Sequence, residues 1–334
     1  MKLSKLLLSS AIAVTMAGMP ILGQAKTVHV SYNVAEGSSW DKGAQNFKEL
    51  VEKRSDGKYT VSLHPNASMA GGNDRVELEM VQGGAIQFLI KSTTWLTGLD
   101  PKFQVLGLPW LFPDHDTANR VMDGEAGAAL MKTVDSKGLV GLAWGVNGFR
   151  QVTNSRQAIM QPKDLKDLKV RVPGIPLYLS IFKALGANPT TMSFSEVFTA
   201  LQTKTVDGQE NPMSLIWSSH FYDVQKHMTI WNYSYDAVLF ASGGMFWNTL
   251  SPEDQALFRD AAKEAMAFER QVVAQEDQTL PQKLKDAGMT ITVLTPEQQD
   301  VFKKALQPTY DEYKGKLGKD FVELFENGVK DARQ

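Results

Sequence analysis

Cysteine is missing from all 334 residues of the chain. Its absence excludes disulfides, thiolate metal sites, cysteine nucleophiles and the attachment of a lipid to a cysteine. The Walker phosphate loop, the G-x-G-x-x-G fingerprint, the G-x-S-x-G elbow and the H-E-x-x-H zinc motif are missing as well. The five histidines do not occur in metal-ligand spacing. The sequence therefore predicts no metal site, no cofactor and none of these enzyme classes.

An excess of positive charge is also missing. The chain has 35 Lys and Arg against 37 Asp and Glu, a formal net charge of −2. Surfaces that bind nucleic acid need clustered cations to neutralise phosphates, and anionic membrane surfaces attract polybasic segments. We therefore expect no nucleic-acid partner and no direct membrane insertion.

The N-terminus has the three parts of a secretory signal in order. Lys2 and Lys5 precede an apolar run over residues 6–22, and small residues follow up to Ala25. Cleavage after Ala25 would leave 309 residues and remove two lysines, so 33 cations would face 37 anions and the net charge would be −4. We expect a soluble periplasmic monomer, and at ~150 residues per domain its length predicts two domains.

Short β-rich runs alternate with helical periods, which is typical of an α/β fold. We predict strands at 27–33, 58–63, 85–90, 139–144, 149–154, 169–172 and 226–231. Ser251 and Pro252 are start signals for a long helix that ends near Gly288 and is kinked by Pro281. About 35 residues at 1.5 Å each make ~50 Å, so we expect this helix to cross both domains.

Polar groups at the ends of elements are the main candidates for a binding site. Arg171 ends the predicted strand at 169–172, and ligands of open α/β sheets bind beyond the carboxyl ends of strands. Arg150 follows a turn at 147–149. The planar guanidinium group of arginine can hold a carboxylate through two parallel hydrogen bonds. Residues 208–212, with the sequence GQENP, read as a polar loop.

At these residues the sequence resembles the solute-binding proteins of tripartite ATP-independent periplasmic (TRAP) transporters, the DctP family. The similar segments are NGFR at 147–150, DLKVRVP at 167–173, GANP at 186–189, MSFSEVFTALQT at 192–203, VDGQENP at 206–212 and FYDVQK at 221–226. The resemblance implies a two-domain binding protein that closes on its ligand and delivers it to a membrane permease driven by an ion gradient.

The resemblance also implies roles for four residues. In the family, the arginine that matches Arg171 forms a bidentate salt bridge to the ligand carboxylate, and the asparagine that matches Asn211 supports that carboxylate. The position of Arg150 provides a second cation, and that of Phe194 provides a ring against the ligand. The implied ligand is a small organic acid: a sugar acid, a hydroxy or keto acid, or a C4-dicarboxylate.

Lys91 departs from relatives that bind sialic acid, which carry an acidic residue there. A cation at this position would suit a second acidic group on the ligand; the alternative is that Lys91 points to solvent. Further candidates for the variable side of the pocket are Asn33, Asn73, Trp95, Trp217 and Asp236.

The expected domains are 26–148 plus 237–277, and 149–236 plus 278–334. Two other functions stay open at this point. One is a periplasmic lyase or hydrolase that uses Glu79, Glu210 or Asp236 as an acid or base. The other is a binding protein that serves a sensor or chemoreceptor instead of a transporter.

Overall fold

The computed structural model describes residues 25–334, in which strands alternate with helices. The strands are β1 (Lys26–Tyr32), β2 (Tyr59–His64), β3 (Phe88–Ser92), β4 (Leu139–Asn154), β5 (Lys169–Val172), β6 (Asn188–Thr191), β7 (Gly208–Pro212), β8 (His227–Ile230), β9 (Tyr235–Gly243) and β10 (Thr290–Val293). The helices are α1 (Ser39–Arg54), α2 (Asp74–Gln82), α3 (Thr93–Leu96), α4 (His115–Asp123), α5 (Glu125–Met131), α6 (Pro176–Ala184), α7 (Val197–Gln202), α8 (Met213–Ser218), α9 (Gly244–Trp247), α10 (Pro252–Asp286), α11 (Pro296–Leu317) and α12 (Lys319–Ala332). The predicted α/β class is confirmed.

The predicted secretory signal lies outside the described residues, apart from Ala25. Within 25–334, every helix is too short or too polar to cross a membrane.

The strands form one path in the order β2-β1-β3-β9-β4-β7-β5-β6, with β8 added to β4 and β10 added to β8. The long strand β4 changes partners along its length. Its first part, from Leu139 to Phe149, pairs with β9, and its last part, from Arg150 to Asn154, pairs with β7. β4 therefore joins a sheet containing β1, β2, β3 and β9 to one containing β5, β6, β7, β8 and β10. The domain boundaries given above stay a prediction.

The long C-terminal helix is confirmed as α10, which has 35 residues. Ser251 caps it by accepting a hydrogen bond from the backbone of Asp254, and Pro252 is its first residue. The helix packs on α1 and β4 and also on α8 and β10, so it contacts elements of both sheets. Pro281 lies inside it.

The loop predicted at 208–212 is wrong, because these residues form β7 and all five are buried. Their polar side chains have partners on the neighbouring strand: Gln209 donates to Thr153 over 2.9 Å, and Glu210 accepts from Arg150. Sequence-based turn signals describe local preference only, and pairing across the sheet overrides it here. The two strands predicted at 139–144 and 149–154 are a single strand, which continues through an irregularity between Val146 and Gly148.

Candidate functional site

A cavity of about 390 Å³ opens where the two sheets meet at β4. Volumes of this order are typical of sites for small metabolites. It lies beyond the carboxyl ends of β1, β3 and β5, where ligands of α/β sheets bind. Six of the ten predicted binding residues line it: Asn33, Trp95, Arg150, Arg171, Phe194 and Asn211.

Arg171 brings a buried cation to the cavity. Val170 and Val172 of β5 are fully buried, and strand alternation turns Arg171 to the opposite face of the sheet. Its side chain is 3 % exposed. Its Nε and Nη2 atoms donate to the carbonyl oxygen of Met192 over 3.2 and 2.8 Å. Within the described residues no carboxylate lies within ion-pair distance of this guanidinium group. Burial lowers the pKa of Arg171 to about 10, so it stays charged at neutral pH.

Arg150 also lines the cavity, but its charge is balanced by the protein. Its Nε and Nη2 atoms donate to the carboxylate of Glu210 over 2.5 and 2.8 Å, and its Nη1 atom donates to Asp236 over 2.9 Å. Nη2 also donates to Asn211 Oδ1 over 3.1 Å. Tyr233 donates its hydroxyl to Glu210 as well. Arg150 thus organises a buried polar network behind the cavity wall, in contrast to Arg171.

Two asparagines connect this network to the cavity. Asn211 donates to Gln209 over 2.6 Å, and Asn147 donates to Asp236 over 2.7 Å. Both asparagines line the cavity and are buried. Their side chains are therefore held in fixed orientations beside Arg150, which is the usual way to pre-organise a binding site.

The opposite wall carries hydroxyl, amide, carboxylate and indole groups: Asn33, Asp74, Ser92, Thr94, Trp95 and Thr97. Asp74 is the first residue of α2, and among the lining residues of the described chain it is the only carboxylate. Its Oδ1 atom accepts from Lys91 Nζ over 2.7 Å, and Asn33 donates weakly to the same oxygen over 3.4 Å.

Lys91 lies outside the lining of the cavity and is 1 % exposed. Its ammonium group is 2.7 Å from Asp74, 2.5 Å from Glu77 and 5.1 Å from the ring centroid of Trp95. The alternative that Lys91 points to solvent is wrong, since an unpaired ammonium group is costly to bury and this one is buried between two carboxylates.

Three other predicted residues lie outside the lining. Asn73 caps α2, because its side chain accepts from the backbone of Arg75 and Val76 over 3.0 and 3.1 Å. Trp217 stacks on Tyr222 with ring centroids 5.0 Å apart.

The third, Asp236, is fully buried and accepts hydrogen bonds from four side chains. These donors are Ser92, Thr93, Asn147 and Arg150. Its lone pairs are therefore used within the protein.

Sequence reasoning missed Asp74, Ser92, Thr94, Thr97 and Asn147. For Ser92 and Thr94 the available signal was their position at the carboxyl end of a buried strand, since Ser92 is the last residue of β3 and Thr94 lies two residues beyond it. For Asp74 the signal was the helix start at Asn73, where only the capping residue was selected.

The three carboxylates considered for an enzyme do not line the cavity. Glu79 pairs with Arg75 on the surface of α2, and Glu210 and Asp236 are bound to Arg150 in the interior. Over residues 25–334, no three His, Asp or Glu side chains are grouped so that they could hold a metal ion.

Comparison with known proteins gives one consistent result. Residues 30–316 match the family model DctP, "Bacterial extracellular solute-binding protein, family 7". The chain is 34% identical to the 2,3-diketo-L-gulonate-binding periplasmic protein YiaO of Escherichia coli over 84% of this chain and 85% of that protein. It is 33% identical to the C4-dicarboxylate-binding periplasmic protein DctP of Rhodobacter capsulatus, over 94% and 95% of the two chains.

A solved structure agrees with these relatives. The sugar acid binding protein DctPAm of Advenella mimigardefordensis, in complex with galactonate, superposes with a TM-score of 0.89 at 35% identity, over 92% of this chain and 99% of that chain. The extent of the match from β1 into α11, together with the cavity between the two sheets, settles the family. The chain belongs to the DctP family of bacterial extracellular solute-binding proteins, the binding proteins of TRAP transporters.

Proposed function

We propose that this protein captures a small organic acid anion in the periplasm through a salt bridge to Arg171 and delivers it to a TRAP membrane permease. The observation that carries the proposal is the buried guanidinium group of Arg171 at the cavity wall, bonded only to a backbone carbonyl. A buried cation without a carboxylate partner is costly, and an anionic ligand would offset that cost.

The hydrogen bonds of Arg171 leave one edge of its guanidinium group for a ligand. Nε and one hydrogen of Nη2 are used by Met192. Both hydrogens of Nη1 and the second hydrogen of Nη2 have no partner among the described residues, so two parallel donors remain for the two oxygens of a carboxylate. Asn211 and Phe194 line the same cavity and would flank the bound acid.

The relatives support an acid as the ligand. The relatives named above are a 2,3-diketo-L-gulonate-binding protein, a C4-dicarboxylate-binding protein and a sugar acid binding protein. Each is named for a ligand that carries at least one carboxylate. Carboxylate binding is the property that these otherwise different ligands share, and Arg171 is the group in this cavity that suits it.

Delivery requires that the protein distinguish its loaded state from its empty one. The cavity is lined by elements of both sheets, so a ligand that contacts both walls would favour closure of the cleft. We propose that the permease recognises this closed state. The same capture step could serve a chemoreceptor, and genes for large and small membrane subunits next to this one would favour transport.

The test is ligand binding by residues 26–334 and by two Arg171 variants. Thermal shift against a panel of organic acids finds the ligand, because binding to the folded state raises its apparent stability, and calorimetry gives the affinity. We expect Arg171→Ala to lose at least ~100-fold in affinity and Arg171→Lys ~10-fold or more, since an ammonium group cannot make the two parallel hydrogen bonds.

The control is Arg333→Ala, which removes an exposed arginine near the C-terminus and should bind like the wild type. Equal affinity in Arg171→Ala, or a preference for neutral solutes, would contradict the proposal. Recovery of a bound acid in chemically altered form would instead favour the enzyme alternative.

A further inference from the structure

The wall opposite Arg171 offers a ligand mainly hydrogen-bond acceptors, because the hydroxyl groups of Ser92 and Thr97 already donate to Asp236 and to the backbone carbonyl of Thr94. Asn33, Ser92, Thr94 and Thr97 contribute one amide and three hydroxyl groups to it. The half-buried ring of Trp95 adds an apolar surface beside them. A ligand that fills the cavity from Arg171 to this wall therefore needs hydroxyl groups on its carbon chain as well as a carboxylate.

Asp74 gives this wall a negative charge. Its side chain is 31 % exposed, and its Oδ1 atom is already bonded to Lys91 over 2.7 Å. Its Oδ2 atom accepts no hydrogen bond from the described residues and is the oxygen left for a ligand. A carboxylate oxygen accepts strong hydrogen bonds from hydroxyl groups.

Lys91 does not offer the cavity a second cation. Its ammonium group is shared by Asp74 and Glu77, so the three side chains together carry one negative charge, from one cation and two anions. A second carboxylate on the ligand would lie against Asp74 and be repelled.

We infer that the ligand is a polyhydroxylated monocarboxylate, with its carboxylate on Arg171 and a hydroxyl group at its other end donating to Asp74. This inference rests on the proposed function and narrows it to aldonate-like acids rather than dicarboxylates. Asp74 is then the residue that determines specificity, and Lys91 and Glu77 hold it in place.

The test compares acids that differ in one group. Calorimetry on residues 26–334 measures the affinity for aldonates of four to six carbons and for the matching aldarates, in which a second carboxylate replaces the terminal CH₂OH. We expect the best aldonate to bind at least 10-fold more tightly than its aldarate. In Asp74→Asn we expect aldonate affinity to fall by ~10-fold and the aldonate-to-aldarate ratio to fall by at least as much.

Asp56→Asn is the matched control, because Asp56 is exposed in the turn after α1 and should leave both affinities unchanged. Tighter binding of the aldarate, of succinate or of an amino acid would overturn the inference, and so would an unchanged ratio in Asp74→Asn. In each of these cases a loss of binding in Arg171→Ala would leave the proposed function standing. Full binding in Arg171→Ala, or no binding of any acid, would contradict the proposed function itself.

Discussion

The ammonium group of Lys91 lies 2.5 Å from the carboxylate of Glu77, and both side chains are buried. Ser31 donates its hydroxyl to the other oxygen of Glu77. Lys91 belongs to β3 and Glu77 to α2, so this ion pair fixes the helix that begins with Asp74 against the sheet. The pair therefore holds one wall of the cavity in place without contacting the cavity itself.

Replacement of Lys91 by methionine should destabilise the fold more than it changes ligand recognition. Lys91→Met leaves the buried carboxylate of Glu77 without its cation, which typically costs about 3–5 kcal/mol. Adding Glu77→Gln removes the unpaired charge and should restore a large part of that loss, since a buried pair replaced as a whole is often nearly neutral. Urea unfolding of the two single variants and the double variant measures this coupling.

Two results would contradict this assignment. The first is a Lys91→Met variant that unfolds at the wild-type urea concentration yet loses all affinity for the ligand, which would make Lys91 a ligand-binding cation. Additive effects of Lys91→Met and Glu77→Gln would show that the two residues are not coupled.

Gly148 is the backbone position on which the middle of β4 depends. Its φ is +122°, and a Cβ there would lie 3.2 Å from the side chain of Pro212. This φ is strained for any residue with a side chain, so Gly148→Ala should cost about 1–3 kcal/mol. Asn147 and Arg150 flank it at the cavity, and we expect weaker ligand binding as well.

Gly315→Ala is the control with the opposite sign. Gly315 lies inside α11, and nothing is within 4 Å of the Cβ that alanine would add. Alanine is preferred over glycine in helices by about 0.5–1 kcal/mol, so this variant should be stabilised and should bind ligand normally. Urea unfolding that ranks Gly148→Ala as the more stable of the two would refute the role given to Gly148.

The sequence was sufficient to predict an element or a site residue where the local pattern and the chemistry of the side chains agree. Arg171 follows this rule: the run Lys169–Val172 predicts its strand with the observed bounds, and the rule that ligands bind beyond strand ends predicts its place at the cavity. The long helix α10 is similar, since its start signals at Ser251 and Pro252 are local.

Pairing between distant residues could not be predicted in the same way. Lys91 looks like a free cation in the sequence because its partners, Asp74 and Glu77, lie on α2, and only the packing of α2 on the sheet brings them within reach. β7 looks like a loop because its polar side chains find partners on β4. Both errors concern buried polar groups, whose burial depends on a partner elsewhere in the chain.

A buried carboxyl group on α10 should make the stability of this protein depend on pH. Glu269 is fully buried, and its Oε2 atom accepts a hydrogen bond from the backbone of Val146 over 2.9 Å. Burial raises the pKa of Glu269 from its ordinary value of 4.5 to about 8. Between these two values the folded protein keeps a proton that the unfolded chain has released, so the stabilisation by this proton is greatest below pH 4.5 and is lost as the pH rises towards 8.

Glu269→Gln keeps the shape of the protonated carboxyl group and cannot ionise. We therefore expect the free energy of unfolding of the wild type, relative to that of Glu269→Gln, to fall by up to about 1.4 kcal/mol per pH unit between roughly pH 5 and 8 and to level off above that range. Urea unfolding at half-unit steps from pH 5 to 9 measures this difference, and other titrating groups cancel in it. Glu49→Gln, on the exposed face of α1, should run parallel to the wild type. A constant difference between wild type and Glu269→Gln would mean that Glu269 is ionised in the folded protein at neutral pH.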